Sequence, residues 1–327
     1  MKLSAFEISS IDSSKDVCEI PEGVCLLAYR GSIAHGMYVP STDPTHIDDV
    51  DLMGVVLAPE ENYIGLEEWG SRGTYEYKRG KWDCVFYEIR KMFSLLLQGN
   101  PNVLSVLWCK PEHFLSLSTA GREIVSNRHL FVGKHVSNAF AGYAQAQLEK
   151  MEARDPAELR EYLAITAELK RRGAHPNHKG EVFDIPEPDT GIERDVAAWP
   201  LDKLLQRMTG FQKKGRNIGY IGDKRKRLVL EHGYDAKNAA HCVRLLRMCR
   251  EFLETGEMQV FRGDAAELLE IKRGQWPLER VKSHAAELFE EITSARDRSP
   301  LPDKPDRVAA ESLLVRILRG HLAAPTF

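Results

Sequence analysis

AYRGSIAHGMYVPSTDPTHIDDVDLMGVVL, residues 28–57, sets a charged pair inside what otherwise reads as buried sheet. The run VCLLAY (24–29) is apolar, strand-sized and stops at Gly31, and VDLMGVVL (50–57) is a second strand. Residues two apart in a strand share a face, so Asp49 and Asp51 project side by side while Val50 and Leu52 point the other way. Two carboxylates that close repel each other, and burial makes both ions costlier. A divalent cation between them removes the conflict, and hard oxygen donors select Mg²⁺ or Mn²⁺. A solvent-facing strand also tolerates an Asp-x-Asp pair, so the pair alone does not decide. Gly31-Ser32 sharpens it. Glycine lets the backbone approach a bulky anion, and a serine hydroxyl with backbone N–H groups at a helix start can hold phosphate oxygens. Strand, Gly-Ser, short helix and a strand with Asp-x-Asp together read as a phosphate cradle facing a metal site. Gly-Ser without the aspartates is an ordinary turn.

The chain has 327 residues, 43% of them apolar, enough for one large domain or two ordinary ones. The net charge of −3 marks no global nucleic-acid binder, but the charge is uneven. Between Lys203 and Arg250 there are 13 Lys and Arg against Asp223, Glu231 and Asp235. Such a block suits an anionic partner as well as it suits a solvated helical face. Cys18, Cys25, Cys84, Cys109, Cys242 and Cys249 form no C-x-x-C pair, and several sit in apolar runs where a thiol behaves as a small hydrophobe. A reduced, intracellular protein is expected. The opening MKLSAFEISS has no apolar signal region, and no run reaches the ~18 apolar residues of a membrane span. These features predict a soluble, cytoplasmic chain with no membrane partner; they leave its oligomeric state open.

The first hundred residues alternate between strand and turn. RGTYEYKRG and KWDCVFYEI (81–89) read as two strands joined at Arg79-Gly80, after the loop APEENYIGLEEWG. Ile89, Met92, Phe93, Leu96 and Leu97 have helical spacing, closed by Gly99-Asn100-Pro101, with a short helix over 102–109. After residue 117 the pattern is helical: 118–128, 131–153, 156–172, 200–214, 223–232, 235–255, 263–273, 276–295 and 306–321. Residues 173–200 form a Pro- and Gly-rich polar loop. A small mixed domain followed by a helical one is the simplest arrangement.

GSIAHG followed by DDVDL resembles the Gly-Ser … Asp-x-Asp signature of the DNA polymerase β nucleotidyltransferase superfamily. YEIRKMFSLLLQGNPNVLSVLW, NIGYIGDKRKRLVLEHGYDAKNAAHCVRLL and SPLPDKPDR are similar to the RlaP/YcgL type of predicted nucleotidyltransferase, linked to RNA repair. The resemblance implies an α+β chain: a small mixed-sheet, polymerase β-like nucleotidyltransferase domain over 1–117, then an α-helical domain over 118–327 with a basic surface toward nucleotide or RNA. It also implies a third carboxylate from a neighbouring strand. Asp83 is the first candidate, on a strand face with Val85 and Tyr87; Glu76 and Glu88 are alternatives. Glu88 stands at a strand-to-helix junction, where an acid complements the helix dipole. The STDPTH segment lengthens the Ser32–Asp49 spacing beyond the superfamily's pattern. It reads as a lid, a substrate contact or a benign loop.

In the helical part, Asp235 can cap a helix from Ala236, whose buried stripe is Ala239, Val243, Leu246, Cys249 and Leu253. Lys237, His241 and Arg244 fall at i, i+4 and i+7 on another face, suited to a triphosphate or a nucleic-acid backbone. Lys224 to Arg227 extends the track. An exposed basic face that meets only solvent is the plainer alternative. His175-x-x-His178 has zinc-like spacing but lacks further ligands nearby, so it reads as polar loop. The five tryptophans read as core.

The expected activity is nucleotidyl transfer with two Mg²⁺ or Mn²⁺ ions at Asp49, Asp51 and Asp83. An NTP lies on Gly31-Ser32, and the acceptor is a hydroxyl for which the resemblance points to an RNA end, a protein or small molecule being the other choices. A catalytically inactive sensor or scaffold that binds nucleotide or RNA is the second reading. A metal-dependent phosphodiesterase is the third, and it leaves Gly31-Ser32 without a role.

Overall fold

The computed structural model describes residues 19–40, 42, 47, 49–152, 155–173, 192–213 and 223–323. The strands are β1 (Val24–Tyr29), β2 (Val50–Val56), β3 (Thr74–Arg79), β4 (Trp82–Glu88) and β5 (Phe114–Leu117). They form one mixed sheet in the order β3-β4-β2-β1-β5. The expected α+β class, a small mixed sheet followed by helices, is what the chain adopts. β1 is antiparallel to β2 and β5, and β4 is antiparallel to β3. β2 and β4 are parallel, with Asp51 beside Asp83 and Leu52 beside Cys84.

Apolar residues running almost without break explain why β2 and β4 sit inside the sheet: Leu52, Val55, Val56 and Phe86 are wholly buried. One face packs Leu27, Tyr29, Leu52, Val56, Trp82, Cys84 and Phe86 into a common core. Gly54 lies beside Phe86 in the register, and a Cβ there would come within 2.4 Å of the Phe86 ring. The β3–β4 hairpin turns through Gly80-Lys81, since Arg79 pairs with Trp82. Gly80 takes φ of 57°, while Lys81 stays out of the left-handed region, the pattern of a type II′ turn. The turn therefore falls one residue later than the Arg79-Gly80 expected from sequence. β5 was not expected. It is a four-residue edge strand of half-buried residues, too short and too mixed to show a period of two.

The helix Ile89–Leu97 buries Ile89, Met92, Phe93 and Leu96 of the expected stripe, while Leu97 is only half-buried. Its N-cap is Glu88, whose carboxylate accepts from the Arg90 backbone N–H at 3.0 Å. The helix after Asn100 is divided into an α segment, Pro101–Leu104, and a 3₁₀ segment, Ser105–Trp108. The later helices lie within three residues of the expected bounds except Val136–Glu152, which begins five residues late, after a 3₁₀ turn at Arg128–Phe131. A short helix, Ile192–Ala197, interrupts the region expected as loop.

The chain divides into two compact units. One is 1–143 with 245–267 and 287–327; the other is 144–244 with 268–286. These are not the same pieces as 1–117 and 118–327. The first unit contains the sheet. The second has its own core, with Leu159, Ile165, Leu169, Val196, Leu204, Met208, Phe211 and Val229. There Glu168 accepts from Arg171 and Arg172, and Arg172 also donates to the carbonyls of Ala197 and Trp199, tying Pro156–Arg171 to the chain after Ile192. Most of STDPTH, and both His175 and His178, lie outside the described residues. The five described cysteines are buried, and burial pushes the thiols of Cys25, Cys109 and Cys242 up to about 12, in keeping with a packing role.

Candidate active site

The site is built where β1 ends and β2 begins. The Arg30 N–H donates to the Asp51 carbonyl at 2.9 Å, which closes the β1–β2 ladder and turns the chain into the short helix Gly31–Ala34. Gly31 has φ of 60°, and a Cβ built on it would stand 1.9 Å from Asp51 Oδ2. Any other residue would strike that carboxylate as well as strain its own backbone. Glycine is therefore required for the turn to lie against Asp51. Ser32 Oγ donates to the Asp49 carbonyl at 3.5 Å, the outer limit of a hydrogen bond.

Register brings the carboxylates together. Asp51 and Asp83 are direct partners across the parallel β2–β4 pair and so share a face. Asp49 precedes β2 and is exposed. Lys78 is the direct partner of Asp83 across the β3–β4 hairpin, and its Nζ lies 3.2 Å from Asp83 Oδ2. Arg30 Nη2 donates to Asp83 Oδ1 at 2.8 Å. Asp83 is thus held by one cation on each oxygen. Arg30 Nε is buried without a partner. Tyr87 stands four residues further along the same face of β4; burial raises its phenol pKa, Arg30 acts to lower it and Glu76 to raise it.

Among the described residues no group of three or more His, Cys, Asp and Glu side chains is arranged to hold a metal ion. The donor chemistry nonetheless fits a hard cation. Mg²⁺ takes one or two protein carboxylates and completes its shell with water and phosphate, and Asp51 and Asp83 lie in register beside the turn. Of the alternatives for the third acid, Glu88 is occupied: it is nearly buried and caps its helix. Glu76 is exposed on β3 and faces Val85 rather than Asp83.

Arg30 and Lys78 are the residues that sequence reasoning missed. Placing the hairpin turn at Gly80-Lys81 pairs residue 78 with 83 and would have found Lys78. Nothing in the sequence marks Arg30 beyond its place before Gly31.

Lys237, His241 and Arg244 share the helix Ala236–Thr255, with Lys237 exposed and the other two half-buried. Asp235 caps this helix, accepting from the Asn238 N–H at 3.2 Å. The expected stripe is fully buried, and Cys242, Leu245, Met248 and Phe252 are buried too, so burial is wider than one face. These three residues belong to the second unit and the carboxylates to the first. Lys224 lies on the helix Asp223–His232, but its side chain is outside the described residues. Trp82, Trp108 and Trp276 are core residues, as expected. Trp69 lines an open cavity of about 350 Å³ with Glu19, Ile20, Pro21, Gly70 and Tyr75. Tyr75 pairs with Phe86, out of phase with Asp83, so this cavity is on the other face of the sheet from the carboxylates.

The site thus combines a mixed sheet, a glycine-serine turn and two strand carboxylates in register. Compared with known families, residues 5–166, just under half of the chain, match the family model described as RlaP, RNA repair pathway DNA polymerase beta family. The match suggests a nucleotidyltransferase-type function in RNA repair. No curated protein and no solved structure gives a significant match. No helix among the described residues is long and apolar enough to cross a membrane.

Proposed function

We propose that the protein is a metal-dependent nucleotidyltransferase that moves a nucleoside monophosphate from an NTP to the hydroxyl of an RNA end. The observation that carries this reading is the contact of left-handed Gly31 with the carboxylate of Asp51, which is itself in register with Asp83. A structural turn has no need of a glycine pressed against an acid, and a sheet gains nothing from two acids directly opposite.

Asp49, Asp51 and Asp83 would hold Mg²⁺ or Mn²⁺, two ions in the full complement. Bound there, the ions supply charge stabilisation for the entering and leaving oxygens and a lowered pKa for the acceptor hydroxyl. Gly31 lets the turn lie against Asp51, which would bring a polyphosphate on the turn close to the ions, and Ser32 offers it a hydroxyl. Asp83 takes the proton of the attacking hydroxyl. The acceptor oxygen bonds to the α-phosphorus as the bond to the bridging oxygen breaks, and pyrophosphate leaves. Lys224, Lys237, His241 and Arg244, in the second unit, are assigned to a phosphate backbone such as that of RNA.

The test is incubation with each labelled triphosphate, Mn²⁺ and total RNA, followed by sizing of the labelled product. Asp51→Asn and Asp83→Asn are each expected to reduce incorporation on the order of 10³-fold while the fold survives. Incorporation at the wild-type level in Asp51→Asn would refute the assignment. The ion pairs of Arg30 and Lys78 with Asp83 favour a second reading, a nucleotide-binding sensor whose third acid is committed to structure. Nucleotide binding without pyrophosphate release across acceptors would select it.

A further inference from the structure

The cations on Asp83 are placed to do more than staple strands together. Asp51 and Asp83 are like charges directly opposite, which a sheet tolerates poorly unless something offsets them. Arg30 and Lys78 supply that offset, one on each Asp83 oxygen. Arg30 is also bonded through its backbone to Asp51 and is joined in sequence to Gly31. Its guanidinium, whose side chain is 29% exposed, engages Asp83 through Nη2, while Nε is buried with no acceptor. A guanidinium in that state has unused donors suited to a phosphate fork, and it stands beside the turn assigned to the polyphosphate.

We propose that Arg30 is an exchangeable counter-ion: it neutralises Asp83 before the divalent cation binds and transfers to the substrate triphosphate when the cation enters. Lys78 is its weaker partner in the same role, since its side chain is 77% exposed and its pair with Asp83 is correspondingly screened. The inference rests on the metal-dependent reading above and adds to it a coupling. Cation and Arg30 compete for Asp83, so metal binds weakly until a triphosphate draws Arg30 away. Arg30 thus acts on Asp83 before the cation binds and on the triphosphate afterwards.

A purely structural ion pair and an exchangeable one differ in sign. Removing a structural staple loosens the site and weakens metal binding. Removing a competitor strengthens it. The experiment is a Mn²⁺ titration of the wild-type protein, Arg30→Gln and Lys78→Gln, read by the EPR signal of free Mn²⁺, with and without an α,β-methylene nucleoside triphosphate. Without nucleotide, Arg30→Gln is expected to bind Mn²⁺ about fivefold more tightly than wild type, and Lys78→Gln about twofold. With nucleotide, Arg30→Gln is expected to lose roughly tenfold in triphosphate affinity, the value of a charge-assisted hydrogen bond to phosphate. Lys78→Gln is solvent-exposed and keeps the test alive if Arg30→Gln does not fold. Unchanged or weaker Mn²⁺ binding in the folded variants overturns the exchange while leaving the metal-dependent reading intact. Absence of saturable Mn²⁺ binding in wild type and variants alike overturns both.

Discussion

Gly31 carries the most information per atom in this chain. Its left-handed φ and the 1.9 Å between its missing Cβ and Asp51 Oδ2 are independent reasons for the same residue type. Gly31→Ala is expected to shift the turn off Asp51 and reduce nucleotide transfer by at least about 10²-fold, the scale of a 1 Å misplacement at a reacting centre. Its Tm should also fall, since a left-handed residue with a side chain costs ~1–2 kcal/mol. A fully active Gly31→Ala would mean that the close contact serves only the turn. Glu88 separates structure from chemistry in the opposite direction. Glu88→Ala is expected to cost ~1 kcal/mol, typical of a lost cap, without the collapse of activity expected of Asp83→Asn; thermal unfolding and a transfer assay on one preparation check both. At this scale the sequence was legible wherever residue type and local spacing decide the outcome. Strand periodicity and a turn were enough to single out Gly31, Ser32 and Asp51 as candidates, whereas Asp83 was singled out by the family resemblance and its register beside Asp51 is a tertiary fact. Arg30 on Asp83 spans 53 residues, and no local pattern reports a contact of that range.

Between elements, a single residue of register separates two different sites. A turn at Arg79-Gly80 would set Asp83 opposite Glu76 and stack acids across the hairpin. The turn at Gly80-Lys81 sets it opposite Lys78. Lys78→Glu recreates the like-charge pairing and is expected to destabilise the protein by up to ~1 kcal/mol, read as a lower urea midpoint, while Lys78→Gln should be close to neutral. Helices were more legible than this hairpin because they are long: the stripe from Ala239 to Leu253 repeats over four turns, so a shift of a residue does not hide it. β5 escaped because four half-buried residues at an edge carry no period. In the second unit, Glu168 is tied to the chain around Ala197 and Trp199 through Arg172, and it also accepts from Arg171 of its own helix. The Arg171 hydrogen bond, against the opposing effect of burial and with help from Arg172, lowers its carboxyl pKa to about 2. A carboxyl held below its unfolded value stabilises above that value. The contribution is therefore complete above about pH 4.3, the ordinary glutamate value, and fades as pH falls toward 2. Glu168→Gln is expected to flatten the acid limb of Tm against pH over that window; an unchanged limb would show that the pairs persist in the unfolded chain.

Over the whole molecule, the helical pattern after residue 117 gives no sign that 245–267 and 287–327 belong with the sheet and 144–244 does not. Amphipathic helices announce that they are buried, and the partner they are buried against is a matter of tertiary contact. The same limit applies to Lys237, His241 and Arg244: periodicity places them together on one helix, and their assignment to a phosphate backbone rests on charge and family likeness. The proposed chemistry therefore depends on where a divalent ion and a triphosphate settle. The most direct measurement is anomalous scattering from crystals grown with Mn²⁺ and an α,β-methylene triphosphate. The expected result is Mn²⁺ bound by Asp51 and Asp83, phosphates against Gly31-Ser32, and Arg30 moved from Asp83 to the phosphates. Mn²⁺ and triphosphate bound elsewhere, with Arg30 and Lys78 still on Asp83, would contradict it.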